Sequence, residues 1–425
     1  MTLDNAAPAN GSIMVVGGGI SGLTTALEAA EVGYEVILVE KNPYLGGRVA
    51  QLNQYFPKLC PPTCGLEINF RRIKDNPRIK VLTLAEVEKV SGAPGSYDVA
   101  VRITPRYVNE NCTACGACAE ACQTEIANDF NFGMDRTKGA YLPHAMAFPA
   151  RFVICPQIIG TEDAQRCKEA CKYDAVDLEM QPKTLDLQVG AIVWATGWEP
   201  YDASRIDNLG FGRYQNIVTN MMLERMAAFN GPTQGKIQRP SDDKAPQSIA
   251  FVQCAGSRDE NHLPYCSYIC CMASLKHATY VRAQYPEAKV YIFYIDLRAP
   301  GQRYEKFYQK IKEDPNVFLI KGKVAEVSED PHTGNLTVVA ENAVTGQKIH
   351  QTVDMVVLAT GMQPTAANVK LPADLKYTDD GFIINDFEKG GMFAAGCANK
   401  PADVVSSNQN ATGMALKAIQ TLVRR

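Results

Sequence analysis

The chain has 425 residues, enough for two or three domains that each bury a core. Its 46% hydrophobic and 21% charged content is that of an ordinary globular protein, and a net charge of −3 gives no footing for nucleic acid. No apolar run approaches the ~20 residues that cross a bilayer, and residues 1–5 lack the basic start of a secretory signal. The 14 cysteines are therefore expected in a reducing compartment, where cluster and metal ligands are commoner than disulfides.

The first predicted element is an apolar strand over Ser12–Val16. The loop Gly17-Gly18-Gly19-Ile20-Ser21-Gly22 then opens a helix reaching about residue 32, and a second buried strand over 34–39 ends in Glu40. Gly17 permits the tight turn, Gly19 lets backbone amides approach a pyrophosphate, and Gly22 lets helix and strand pack closely. The helix N-terminus attracts the anion, and Glu40 stands where a carboxylate binds a ribose diol. The continuation Glu40-Lys41-Asn42-Pro43-Tyr44-Leu45-Gly46-Gly47-Arg48 resembles the turn beside the flavin in two-dinucleotide-fold flavoproteins, which selects FAD. Two strand-plus-Ala-Thr-Gly segments, one ending Ala195-Thr196-Gly197 and one ending Ala359-Thr360-Gly361, agree with that resemblance. So does the stretch around Gly396 and Cys397 near the C-terminus, with one departure: Cys397 stands where those proteins carry Asp. The contact that Asp makes must then come from backbone amides or from elsewhere. Cys60-Pro61-Pro62-Thr63-Cys64 follows the Gly-Gly-Arg turn and is expected near the flavin, as a redox-active pair, as two ligands of a shared cluster, or as inert thiols.

A strand over 97–103 precedes an insertion, and the sheet resumes over 184–193. Within the insertion, Cys112-x2-Cys115-x2-Cys118-x3-Cys122 has ferredoxin spacing, although Gln123 replaces the usual Pro. A second run is imperfect: Cys155, Cys167 and Cys171 remain, its second cysteine is missing, and residues 156–166 fill the gap. In two-cluster ferredoxins the last cysteine of each run serves the other cluster. Cys112, Cys115, Cys118 and Cys171 then complete a [4Fe-4S] site. Cys122, Cys155 and Cys167 leave three thiolates, which admit a three-iron cluster, a four-iron cluster with a non-Cys ligand, or a lost site.

A strand over 249–253 leads into Cys254-x11-Cys266-x3-Cys270-Cys271 where a nicotinamide loop would stand, and only Gly256 and Ser257 remain of it. Adjacent Cys270 and Cys271 would make a strained disulfide but can hold two corners of one cluster. A four-Cys cluster site is the reading, with buried structural cysteines or a redox dithiol as alternatives. The five histidines, His144, His262, His277, His332 and His350, show no metal or catalytic spacing.

The segments GGRVAQLNQYFP, CTACGACAEAC, FVQCAGSRDENHLPYCSYICCMASLKHA and YIDLRAPGQRYEKFY resemble the A-subunit family of heterodisulfide reductases over nearly the whole chain. The resemblance implies an α/β, thioredoxin-reductase-like flavoprotein with two dinucleotide-binding domains and an inserted α+β ferredoxin-like module. The expected divisions are an FAD domain of 1–106, 181–246 and 376–425, an insert of 107–180, and a unit without NAD at 247–375. Length, the degenerate second ferredoxin half and the C-x3-C pair resemble the branch found in quinone-interacting membrane-bound oxidoreductase complexes of sulfate reducers. That branch implies a second flavoprotein of related fold, a membrane subunit with haem b, and adenylylsulfate (APS) reductase as redox partner. It also implies a cytoplasmic place at the membrane's inner face, held there by partners. Function is then electron transfer through FAD and [4Fe-4S] clusters. The competing readings are a self-contained disulfide-handling flavoenzyme using Cys60 and Cys64, and a bifurcating heterodisulfide-reductase-like subunit.

Overall fold

Five parallel strands form the first sheet of the computed structural model, which describes residues 11–423. Residues 1–5, where no leader is expected, lie outside that range. Strand β1 (Ser12–Val16) is buried at every position, as a central parallel strand covered on both faces must be. It leads into α1 (Ile20–Glu31), then β2 (Glu35–Glu40), α2 (Pro62–Asp75) and β3 (Ile79–Thr83), with β2 beside β1 and β3 beside β2. The hairpin β4 (Ala85–Ala93) and β5 (Ser96–Ile103) forms a separate antiparallel layer. In β5, buried Tyr97, Val99 and Val101 alternate with exposed Ser96, Asp98 and Arg102, the period-two pattern of a strand with one covered face.

The insertion contains two short helices, α3 (Ala117–Ala121) and α4 (Glu162–Glu169). It also has two small hairpins, β6 (Glu125–Ala127) with β7 (Arg136–Lys138) and β8 (Ala140–Tyr141) with β9 (Val153–Ile154). The stretch expected as one resumed strand is two, β10 (Lys183–Val189) and β11 (Ala191–Trp194). They part at Gly190 because β10 pairs with β5 in the antiparallel layer while β11 pairs with β1.

A ribbon, β12 (Trp198–Pro200), leads to β13 (Ile217–Thr219), α5 (Asn220–Ala227), β14 (Ser248–Ala255), α6 (Cys270–Gln284), β15 (Lys289–Tyr294), α7 (Gln302–Lys312) and β16 (Val317–Lys321). An antiparallel layer, β17 (Val324–Glu329), β18 (Leu336–Glu341) and β19 (Lys348–Val353), precedes β20 (Met355–Thr360) and β21 (Met362–Pro364). The second parallel sheet runs β13-β20-β14-β15-β16. Thus the boundary expected at 246/247 comes too late: β13 pairs with β20, and Leu223 and Met226 of α5 share a core with Leu275 and Val281 of α6. The end expected at 375 is also displaced, since β21 pairs back with β12 and the following Asn368 and Pro372 line the cavity of the first half.

The chain closes with β22 (Lys376–Tyr377), β23 (Ile383–Ile384), β24 (Met392–Ala394) beside β11, and α8 (Val404–Val423). Helix α8 packs Ala411, Met414 and Ala418 into one core with Leu23, Ala26 and Leu27 of α1. Each half therefore has helices on one face of its parallel sheet and a three-stranded antiparallel layer on the other. No helix among the described residues is long and apolar enough to cross a membrane.

Candidate functional site

At the carboxyl end of β1 the glycine loop faces a cavity of about 680 Å³. Gly17 has φ +110°, and a Cβ there would fall 2.3 Å from the Ala195 carbonyl oxygen. A Cβ on Gly22 would fall 1.8 Å from the Gly17 oxygen, so that glycine serves helix packing and does not line the cavity. Gly19 differs, because a Cβ there meets only the Gly47 Cα at 3.9 Å. Its absence leaves room on the cavity side, where the first turn of α1 carries no side-chain cap and no acidic residue. Uncapped N–H groups and the helix dipole make that end an anion site.

Glu40 is 5% exposed and lines the same cavity. One carboxyl oxygen accepts from the Gly18 N–H at 2.6 Å, and the other from the Asn42 N–H at 2.7 Å and Asn42 Nδ2 at 2.8 Å. Burial raises its pKa against those hydrogen bonds. Ile20, Ser21, Lys41, Gly47, Arg48, Ala195, Thr196, Gly197 and Cys397 complete the expected lining. Gly396 stands behind it, with φ +61° and no room for a Cβ beside the Ser21 hydroxyl. Cys397 donates to the Ala402 carbonyl at 3.5 Å, and Asp403 enters the lining six residues on. Thr196 Oγ1 is buried without a partner. An orphaned hydroxyl, an open Gly19 and an uncapped helix end fit a dinucleotide such as FAD, which Gly17, Gly19, Glu40 and the Gly46-Gly47-Arg48 turn would hold.

A second, mostly apolar cavity of about 860 Å³ shares Ile20, Arg48, Val49, Trp198 and Asp403 with the first. Cys60 lines it, whereas Cys64 in the first turn of α2 does not; both are exposed free thiols. Glu224, Lys276 and His277 also line it, each 1–2% exposed. Lys276 Nζ pairs with Glu224 Oε1 at 2.5 Å and donates to the Gln54 carbonyl at 2.7 Å. His277 Nε2 bonds the same Glu224 oxygen, while its Nδ1 is buried without a partner. Burial works to raise the Glu224 carboxyl, but Lys276 and His277 outweigh it and hold it at about 2. Sequence spacing gave His277 no catalytic neighbour; the triad joins two helices, with Glu224 and His277 53 residues apart, which no local spacing reports. His262, inside the cysteine loop, bonds Tyr201 Oη at 2.9 Å.

The loop after β14 gathers the second set of thiols. Cys254, Arg258 and Tyr268 have φ of +57°, +56° and +67°, a left-handed backbone that non-glycine residues adopt only where the surroundings impose it. Cys254 is pushed up to about 11 by burial and by the nearby Cys271 and Cys266. Cys270 is pushed well above the ordinary thiol range by burial and by Cys254, Cys271 and Cys266, so the four sulfurs lie within mutual electrostatic reach. Cys270 and Cys271 open α6 and donate to different carbonyls, Thr360 at 4.0 Å and Asp296 at 3.4 Å, as two separate corners would. Arg258, pairing with Asp296 at 2.9 Å, brings a cation to Cys254 and Cys266. The Gln253 amide, next to Cys254 in the chain, is buried with both polar atoms unpaired.

In the insertion, Cys118 is pushed to about 12 by burial, with Cys112 and then Cys171 adding to it; these are three of the four cysteines the crossover pattern groups, Cys115 being the fourth. Ala114 and Gly116 take positive φ around exposed Cys115, and Cys171 Sγ accepts from the Ala175 N–H at 3.3 Å. Cys167 is likewise pushed to about 12, by burial and then Cys122. Among the described residues no three His, Cys, Asp or Glu side chains close on a single metal ion. A cubane's thiolates bind four different irons and stand farther apart than the ligands of one ion.

The segment 15–80 matches the NAD(P)-binding Rossmann-like domain family. Thioredoxin reductases of Lactococcus lactis and T. acidophilum share the fold, with TM-scores of 0.54 and 0.53 over 97% of this chain and 99% and 97% of theirs, at 13% and 14% identity. The CoB–CoM heterodisulfide reductase iron-sulfur A-subunit 2 of Methanopyrus kandleri is 39% identical over 96% of this chain and 64% of its own length. The corresponding A-subunit of Methanocaldococcus jannaschii is 38% identical over 95% of this chain and 63% of its own. The chain spans less than two thirds of these curated relatives. Within that span, it is a homologue of the heterodisulfide reductase A-subunit, built on a thioredoxin-reductase-like, two-dinucleotide-domain fold.

Proposed function

We propose that this chain is an FAD and iron–sulfur electron-transfer subunit of a multi-subunit oxidoreductase. The observation that carries the reading is the loop after β14, where four buried or half-buried cysteines stand at the end of a central strand in place of a phosphate-binding glycine loop. Hydride delivery from a nicotinamide needs that glycine loop, whereas transfer between proteins does not. FAD, when bound, exchanges electrons in pairs and clusters exchange them singly, so together they join two-electron to one-electron partners. Around the flavin cavity, Glu40 and the α1 terminus orient the dinucleotide. Lys276 and Glu224 keep a fixed charge pair at the floor of the adjoining cavity, and the apolar lining excludes water.

Two ferredoxin-type sites in the insert and one site at Cys254, Cys266, Cys270 and Cys271 are the proposed cluster complement. The partners proposed are a second flavoprotein of related fold, a membrane haem b subunit reacting with quinone, and APS reductase. Supporting them are the chain's degenerate second ferredoxin half and its C-x3-C pair, which resemble the branch in the sulfate reducers' quinone-interacting complexes. On this reading the protein works in the cytoplasm, held peripherally at the membrane by its partners.

Iron, sulfide and flavin content of anaerobically purified protein, with EPR, tests the reading. About one FAD with eight or more irons supports it. FAD with no iron, once cluster loss in handling is excluded, instead favours a disulfide-handling flavoenzyme. Cys60 on the second cavity is the observation that keeps that alternative in view.

A further inference from the structure

Arg106 stands at the root of the insert, just after the chain leaves β5. It is 6% exposed, and its guanidinium reaches only oxygens that carry no charge. Nη2 donates to the Pro43 carbonyl at 2.5 Å and to Thr83 Oγ1 at 2.9 Å, while Nη1 donates to the Arg151 carbonyl at 3.1 Å. Among the described residues no carboxylate forms an ion pair with it. Burial, and after it the like charge of Arg151, bring its pKa down to about 10, which leaves it a cation at neutral pH. A buried cation among neutral acceptors is costly unless a negative charge compensates it.

Two groups stand close enough to supply one, Tyr141 and Cys112. Burial raises the Tyr141 phenol, so it stays neutral. Cys112 becomes an anion when it ligates a metal. The backbone places Arg106 beside that thiol's surroundings: Tyr107 and Val108 pack in one core with Cys112, Cys118 and Cys171, and the Ile154 N–H from that core donates to the Arg106 carbonyl at 3.2 Å.

We infer that Arg106 is the fixed counter-charge of the cluster held by Cys112, Cys115, Cys118 and Cys171, and that it draws the midpoint potential of that cluster upward. The inference rests on the reading that the insert carries this cluster. Four thiolate ligands make the cluster a net anion, and reduction adds further negative charge. A cation held in poorly solvated surroundings favours the more negative state, and so favours reduction. Burial also shields this charge from salt. Neutral acceptors hold the guanidinium in place without cancelling it, as a carboxylate partner would. On its other side Arg106 grips Pro43, which lines the flavin cavity, so charge and bracing have to be separated.

The test is an EPR-monitored redox titration of the full chain, purified anaerobically, in three variants. Arg106→Gln keeps an amide donor and loses the charge; Arg106→Met keeps the buried stem and loses the charge; Arg106→Lys keeps the charge and loses the fork. The signal absent from Cys118→Ser belongs to the insert cluster. In Arg106→Gln and Arg106→Met its reduction should become about tenfold less favourable, a midpoint roughly 59 mV more negative for a one-electron couple. Arg106→Lys should stay near the wild type. The signal absent from Cys271→Ser should keep its midpoint throughout. An unchanged insert midpoint in either charge-removing variant that retains its iron overturns the inference. So does an Arg106→Lys shift as large as that of Arg106→Gln, or an equal shift at the Cys271 cluster, since either makes Arg106 a brace. If the wild type has no signal that Cys118→Ser removes, the cluster reading fails and takes the inference with it.

Discussion

The loops after β1 and after β14 both follow the middle strand of a five-stranded parallel sheet, yet they are built for different occupants. Each feeds a helix. At such a switch point the crevice outside the strand ends is where a ligand binds, whatever its chemistry. After β1, glycine brings backbone close: Gly17 and Gly22 press on neighbouring carbonyl oxygens, and Gly19 leaves the helix end open. After β14, side chains do the work, and the backbone bends through positive φ at Cys254 and Tyr268 to aim them. Architecture fixes where a group sits, and loop composition decides which group.

The sharpest way to break this contrast is within the glycine loop. Gly22→Ala should prevent folding, because its Cβ has no space beside the Gly17 oxygen. Gly19→Val should instead fold with an unchanged far-ultraviolet circular dichroism spectrum and retain no flavin absorbance. Bound flavin in folded Gly19→Val would refute the cradle. On the cysteine side, Cys271→Ser should retain flavin and lose about four irons per chain, read by iron assay; full iron would return these thiols to structural cysteines. Glu224→Ala leaves the Lys276 ammonium buried and unpaired, and should cost about 3–5 kcal/mol in urea unfolding, with iron content unchanged. Smallest is Lys41→Ala. Its pairing with Glu199 at 3.5 Å is exposed on both sides, so the same measurement should move by less than about 1 kcal/mol.

Much of this was legible before the fold, for a physical reason. Glycine loops and ferredoxin runs are local: the residues that act together lie within a dozen positions, so spacing alone reports them. Cys112 and Cys171 pack partly buried against the core that contains Cys118. Features assembled across the chain were not legible. Strand β13 is three residues long, too short to show a period, and its helix carries Asn220, Glu224 and Arg225 buried in the core. With their partners unknown, those polar residues give no reason to move this stretch out of the FAD domain expected to reach 246. Glu224 finds its cation on α6 and the Asn53 N–H in the other half, while Asp163 meets Cys122 across forty-one positions. No periodicity encodes such encounters.

The ribbon of β12 and β21 has a consequence for rate. It joins the halves by three residue pairs, Trp198 opposite Pro364, Glu199 opposite Gln363 and Pro200 opposite Met362. A proline at one end of each strand fixes φ there. Tyr265 Oη, from the cysteine loop, donates to the Met362 carbonyl at 2.8 Å, and Thr365 Oγ1 donates to the Thr196 carbonyl beside the flavin cavity at 3.0 Å. The strap therefore ties the cysteine loop and the Ala195-Thr196-Gly197 turn to one short, stiffened piece of backbone. Electron tunnelling weakens steeply with every added ångström of gap, so on the proposed reading, with a flavin at one end and a cluster at the other, a brace of this kind would set the hopping time alongside the redox potentials.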